Sequence, residues 1–144
     1  MGVYTRFKRS PEGLRALVEL LETTPLERRQ RMLDMGMAED ADFTRRAMEF
    51  MMTFEDLTQL SESEMAELVA VAPPRITACA ISNANEEVKS FFLRCAKAKV
   101  QAGIREGLET KFSLKEVGGA RLKLVETARK LERDGFIRVK KIPV

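Results

Sequence analysis

The sequence has no histidine and no tryptophan, and only two cysteines and one tyrosine among its 144 residues. Histidine is the commonest general base and metal ligand, so its absence removes most familiar catalytic and metal-binding arrangements. Two thiols fall short of the four ligands a structural zinc ion takes. Cys79 and Cys95 lie in segments that read as apolar helix faces. Buried free thiols are expected there, with a disulfide left open by sequence alone. Glycine and proline are scarce (8 and 5), and aromatics make up 6%. No stretch approaches the roughly 20 apolar residues of a membrane span. The early basic residues Arg6, Lys8 and Arg9 precede no purely apolar run, so a signal peptide is not expected and a cytoplasmic location is. Gly118-Gly119 lacks the spacing of a phosphate loop and follows a helix start instead of a strand. Glu62, Glu64 and Glu67, like Asp40 and Asp42, cluster at helix starts, where carboxylates offset the positive end of the helix dipole. The expectation is therefore no catalytic residue, no cofactor, no metal and no small-molecule substrate: not an enzyme.

What remains is rich in helix formers. Hydrophobic residues are 44% and charged residues 33% of the chain, the balance of a folded domain. Leu, Ala, Met, Glu, Lys and Arg dominate, side chains that lose little rotamer freedom in a helix. Ser10-Pro11 predicts the first helix start, followed by an inward stripe of Leu14, Leu17, Val18 and Leu21. Pro25 predicts a second helix burying Leu26, Met32, Leu33 and Met35, stopped by Gly36. A third runs from about Asp40 to Met52 with Phe43, Ala47, Phe50 and Met51 inward. Ser61–Glu64 and Ser113–Glu116 are S-x-x-E capping boxes, in which serine and glutamate each satisfy a free N–H of the other's end. Pro74 opens a short helix through Cys79, and Val88, Phe91, Phe92 and Cys95 mark another. Val100, Ile104 and Leu108 give a helix with a charged outer face. The longest helix runs from Ser113 to Gly135, and the closing segment alternates apolar and basic residues as if extended. Short connections between helices imply an all-α stack of helix pairs.

The formal charge is +3 against 25 basic and 22 acidic side chains. Lys97, Lys99 and Arg105 share their helix with Glu106 and Glu109, which would repel phosphate, so nucleic acid is the weaker alternative. The same residues fit a solvated helix face equally well. Met51 to Phe54 read first as core packing, although thioethers repack readily enough for a hinge.

Several segments together resemble the FliG family of flagellar rotor proteins. Met-Met-Thr-Phe-Glu-Asp-Leu from Met51 is similar to its MFxFEDL hinge. Leu60 to Val69 resembles its L-D-D-R-x-I-Q-x-L-L helix, and Ala80 to Val88 its ALKGA-x-E-E-L segment. Phe92 to Cys95, Ser113 to Val117 and Leu131 to Ile137 resemble F-L-x-N, L-S-x-V-E and L-x-x-x-G-E-I. Residues 10–50 are similar to the preceding helical unit in layout more than in letters.

The resemblance implies an armadillo-like right-handed superhelix of helix pairs over 10–52, a six-helix FliG C-terminal-type unit over 53–135, and a tail at 136–144. It implies a protein-interaction module of the flagellar switch complex, acting in torque generation or rotor assembly. It also implies FliM, FliG copies and the stator's cytoplasmic loop as partners, self-association, and a place beside the inner membrane at the basal body. Lys97, Lys99, Arg105 and Glu106 fall on the family's stator-facing charged helix, and Met51, Met52, Thr53 and Phe54 on its hinge. Two family charges are missing, because Ser82 stands at its lysine and Gly107 at its second aspartate. An adaptor or regulator that kept the fold without motor duty is the other reading.

Overall fold

In the computed structural model, which describes residues 3–143, the chain divides into two compact units. One comprises the residues up to Met52 together with a segment returning from Lys140. The other is Thr53–Val139.

The first unit contains α1 (Val3–Arg9), α2 (Gly13–Thr23), α3 (Leu26–Glu39) and α4 (Ala41–Phe50). Leu17, Val18 and Leu21 of α2 meet Leu33, Ala47 and Tyr4 in one core. Helix α1 was not expected. It is short and strongly basic, and among the described residues Tyr4 and Phe7 anchor it to this core. Ser10 ends it instead of opening the next helix: its N–H bonds to the Phe7 carbonyl, and its Oγ accepts the Glu12 N–H. Gly13 then starts α2 hard against α1, where a Cβ would lie 1.4 Å from the Phe7 oxygen.

Gly36 does not stop α3. It sits within the helix, beneath the Tyr4 ring and the Thr44 hydroxyl, where a Cβ would come within 2.5–2.8 Å of either. Leu26 and Met35, expected inward, are 70% and 60% exposed. Arg29 takes an inward place instead, donating from Nε to the Leu21 carbonyl (2.7 Å) and from a terminal nitrogen to that of Glu22 (3.0 Å). Those carbonyls lie in the last turn of α2, where Leu21 also accepts the Thr24 N–H (3.2 Å), so the guanidinium helps cap it. Burial lowers the Arg29 pKa, and the Glu22 charge opposes the shift.

The second unit contains α5 (Phe54–Leu57), α6 (Glu62–Val71), α7 (Pro74–Ile81), α8 (Glu86–Cys95), α9 (Ala98–Gly107) and α10 (Leu114–Arg133). Both expected capping boxes form, and Thr53 with Asp56 adds a third ahead of α5. Helix α7 is the centre. Its residues 77–81 are all buried, with α10 along one side and α9 along another. Phe92, fully buried, brings α8 onto the same core and stacks on Phe54 with ring centres 6.0 Å apart. Gly135, at φ +87, closes α10, where the Phe136 N–H returns to the Leu131 carbonyl (2.8 Å). Cys79 and Cys95 are free thiols. The closing segment is not extended throughout: Lys140 has φ +53, and Ile137 and Ile142 are buried.

Three carboxylates at helix starts link this capping to pH. Asp40 is held below the usual carboxylate range by its bond to Lys8, then by the Phe43 N–H. For Glu64 burial pushes upward, but the backbone N–H groups of Arg138 and Ser61 outweigh it; Glu116 is lowered first by the Ser113 N–H. A pKa lowered by folding stabilises the folded chain above the unfolded value, and that contribution disappears as pH falls through the folded value. The melting temperature should therefore fall through the acid range below the normal carboxylate pKa. Thermal melts of Glu64→Gln and Glu116→Gln should show a shallower acid decline than the native chain.

Candidate functional site

Helix α9 is built with two unlike sides. Ile104 and Gly107 are buried, and both α9 glycines mark close approach to α7. A Cβ on Gly103 would meet the Pro74 ring at 3.0 Å, and one on Gly107 the Ala78 Cβ at 2.6 Å. These glycines cost helix propensity, roughly 1 kcal/mol each relative to alanine. In exchange they let two backbones pack almost in contact, which fixes the helix to the unit's centre. Gln101 adds a bond from its side-chain amide to the Leu93 carbonyl at the end of α8 (2.8 Å).

The opposite side carries charge. Lys99 and Glu106 are exposed and seven residues apart, so 3.6-residue periodicity puts them on one stripe, two turns from each other. Lys97 is the residue just before the helix and makes no side-chain cap bond. Arg105 stands at the edge of the stripe, where it lines an open groove between α8 and α9 with Lys89, Leu93 and Arg94. Lys97, Lys99, Arg105 and Glu106 make no ion pair with any described residue. Their fields are therefore open to a partner. The structure thus gathers all four on one helix and its lead-in, with Lys99 and Glu106 aligned and Arg105 turned toward α8.

Gly107 and Ser82, where the FliG resemblance leads one to expect charge, present none outward. Gly107 faces α7, so a side chain there would not reach the outer face. Ser82 turns its hydroxyl back to the Cys79 carbonyl of its own helix (2.8 Å).

The Met51–Phe54 stretch lies where the chain passes from one unit to the other. Met51 is half-buried and Met52 fully buried in the first unit. Thr53 caps α5 in the second, where Phe54 is buried under the Arg121 guanidinium, 4.2 Å from the ring centre. Sequence reasoning missed Arg121, which looks like one more solvated charge of α10. In the structure it also donates to the Ala80 carbonyl (2.9 Å) and to Asn83 (2.8 Å), tying α10 to the end of α7 and to α5. No local pattern announces such a clamp, because its partners lie about forty positions away in sequence. Among the described residues no cluster could hold a metal ion, and no helix is long and apolar enough to cross a membrane.

Comparison with known proteins identifies the family. The sequence model for the FliG C-terminal domain matches residues 37–139. The flagellar motor switch protein FliG of Aquifex aeolicus (strain VF5) is 29% identical over 130 residues, covering 89% of this chain and 40% of that protein. This chain thus spans well under half the length of that relative. The solved full-length FliG of Aquifex aeolicus superposes with a TM-score of 0.56 at 28% identity, over 88% of this chain and 40% of its own. A FliG fragment from H. pylori shares the fold with a TM-score of 0.66 at 22% identity, covering 90% of this chain and 62% of that one. With its all-helical fold and a family match over most of its length, the chain belongs to the FliG C-terminal domain family, a family of motor switch components and not of enzymes.

Proposed function

We propose that this chain is a rotor-type assembly module of the bacterial flagellar switch complex, presenting the outer side of α9 to a charged partner. The observation that carries the reading is the contrast within α9. One side is fixed by backbone approach at Gly103 and Gly107, and the other holds Lys99 and Glu106 exposed and without an ion pair among the described residues. Exposed charges on a rigid support steer and orient a partner without dry burial. The partner of that face is the stator's cytoplasmic loop. FliM and copies of FliG are the partners of apolar surface, and exposed large apolar side chains concentrate in the first unit: Leu20, Leu26, Met35, Met37 and Met48. The site of action is the cytoplasmic side of the basal body.

A second reading has specific support. Gly107 faces inward and Ser82 folds onto its own helix, so two family charges have no outward counterpart. An adaptor that kept the fold without coupling to the stator would look like this.

Pull-down and titration against FliM, FliG and the stator loop separate the two. For the motor reading, Lys99→Glu should weaken loop binding by about 1 kcal/mol, roughly fivefold in Kd, and reduce its salt dependence. Binding to FliM and FliG should be unchanged. Rotor binding with no measurable affinity for the loop would establish the adaptor reading, and binding to none of the three would overturn both.

A further inference from the structure

The groove between α8 and α9 lies wholly within the second unit and has a volume of about 480 Å3. Each wall is one helix face: positions 86, 89, 90, 93 and 94 of α8, and 101, 105 and 108 of α9. Of its charged side chains, Lys89, Arg94 and Arg105 are basic and Glu86 alone is acidic. Arg105 makes no ion pair with any described residue. Lys89 meets Glu86 at 3.7 Å and Arg94 meets Glu62 at 3.3 Å, and those carboxylates are 90% and 74% exposed. Exposed pairs of that kind contribute only about 0–1 kcal/mol, so an incoming carboxylate can replace them at little cost. Leu93 and Leu108, both half-buried, supply the apolar part of the lining. Two polar groups are open as well. Ser90 Oγ makes no hydrogen bond among the described residues, and Gln101, whose amide nitrogen is held by the Leu93 carbonyl, keeps its amide oxygen free.

We infer that this groove docks a short, extended, acidic segment of a partner protein, with carboxylates on Arg94 and Arg105 and one aliphatic side chain against Leu93 and Leu108. Size selects an extended segment. At 1.5 Å per residue the two walls run about 10–12 Å, and a helix of that length, about 10 Å across, would occupy roughly 900 Å3. That is nearly twice the groove, whereas three or four extended residues cover the same length. Hydrogen bonding selects it too. An extended backbone brings unpaired N–H and C=O groups, which the Gln101 amide oxygen and the Ser90 hydroxyl can meet; a helix has already spent its own. Charge selects the acidic side chains, since three cations face one carboxylate. A nucleic-acid strand fits less well, because its unbroken run of phosphates would meet Glu86 in the lining and the exposed Glu87 next to it. The inference goes beyond the proposed function. It concerns a second surface, which shares only Arg105 with the set around Lys99 and Glu106, and it stands whether or not α9 meets a stator.

An NMR titration of the 15N-labelled full chain with the end-blocked peptide Glu-Asp-Leu-Asp-Glu tests the inference. Saturable shifts are expected at the amides of Lys89, Ser90, Leu93, Gln101 and Arg105, with a Kd on the order of 0.1–1 mM for so small a contact. Ser90 is exposed, so Ser90→Trp fills the groove without altering its charge or the core, and should weaken binding at least about tenfold. Arg94→Glu should weaken it about fivefold, as should replacing the leucine of the peptide with serine. Lys99→Glu, on the outer stripe, should change it by less than about twofold in physiological salt. The inference is overturned if no saturable shift appears up to about 5 mM peptide, or if Ser90→Trp binds as well as the native chain. Equal losses in Lys99→Glu and Arg94→Glu would overturn it as well, by reducing the effect to unspecific charge attraction. So would tighter binding of a short oligouridylate at the same residues, which would assign the groove to phosphate. Stator-loop binding responds to Lys99→Glu and peptide binding to Ser90→Trp, so the two readings can fail separately.

Discussion

Replacing Gly107 with aspartate, the residue the FliG resemblance implies there, is expected to destabilise the second unit by about 3 kcal/mol or more. Two costs combine. The new Cβ falls 2.6 Å from the Ala78 Cβ, far inside ordinary contact, so α7 and α9 must separate. Overpacking of that kind costs about 1–3 kcal/mol. The carboxylate would then be carried into a region where Ala78 is fully buried and Ile104 lies one turn away, also fully buried. An ionised group placed there without a partner costs several kcal/mol more, or stays protonated. Gly107→Ala isolates the steric part and should lose about 1–3 kcal/mol. Gly118→Ala is the contrast, because nothing lies within 4 Å of a Cβ at that exposed helical position; it should be neutral or gain up to about 1 kcal/mol. Urea midpoints of the three variants test the series. Native-like stability for Gly107→Asp would show that α9 is not packed against α7 as described. A functional consequence follows. The charge pattern of the outer face cannot be restored by that substitution, so under the proposed function Lys99, Glu106 and Arg105 are left to carry recognition.

The same glycine shows where sequence reading reaches its limit. Gly103 and Gly107 read as weak points of a helix, since propensity is a local quantity. That they are points of backbone contact depends on Pro74 and Ala78, about thirty residues earlier. Local signals were legible throughout. The Ser61–Glu64 and Ser113–Glu116 boxes, the inward stripe at Leu14, Leu17, Val18 and Leu21, and the exposed charges of α9 all follow from spacings of three and four. Features that rest on distant partners were not. Gly36 resembles a helix stop, yet it is the small residue that admits the Tyr4 ring. Leu26 and Met35 are apolar but exposed, while Arg29 is charged but buried, because the end of α2 needs its donors. Helix α1 has too little apolar pattern to be read alone, and Ile142, nine positions past the end of α10, gives no hint from its neighbours that it joins the core of the first unit.

The second large effect is expected at Glu132, and it also comes from charges that sequence assigns to the surface. Arg129 and Glu132 are three residues apart on α10, paired at 2.8 Å, with side chains 2% and 1% exposed. A pair at that spacing on a solvated face would contribute a few tenths of a kcal/mol. Buried, it behaves otherwise. Glu132→Ala leaves the Arg129 guanidinium in the interior without that counter-charge, and a loss of about 3–5 kcal/mol is expected. Replacing both residues with leucine removes the two buried charges together, and stability should return to within about 1 kcal/mol of native or exceed it. The double-mutant cycle therefore separates the cost of breaking the pair from its net worth, which is small. It also reaches function. Helix α10 is the surface on which α7 lies, and α7 holds α9 through Gly103 and Gly107. Neither Arg129 nor Glu132 belongs to the charged face of α9, yet Glu132→Ala should weaken partner binding near the temperature where the second unit begins to open, while the double leucine variant binds normally. If Glu132→Ala lowered binding at temperatures well below its own unfolding, and the leucine pair did not recover it, the carboxylate would be acting on the partner and not on the scaffold. The mutation series thus distinguishes a residue that supports the surface from one that forms it.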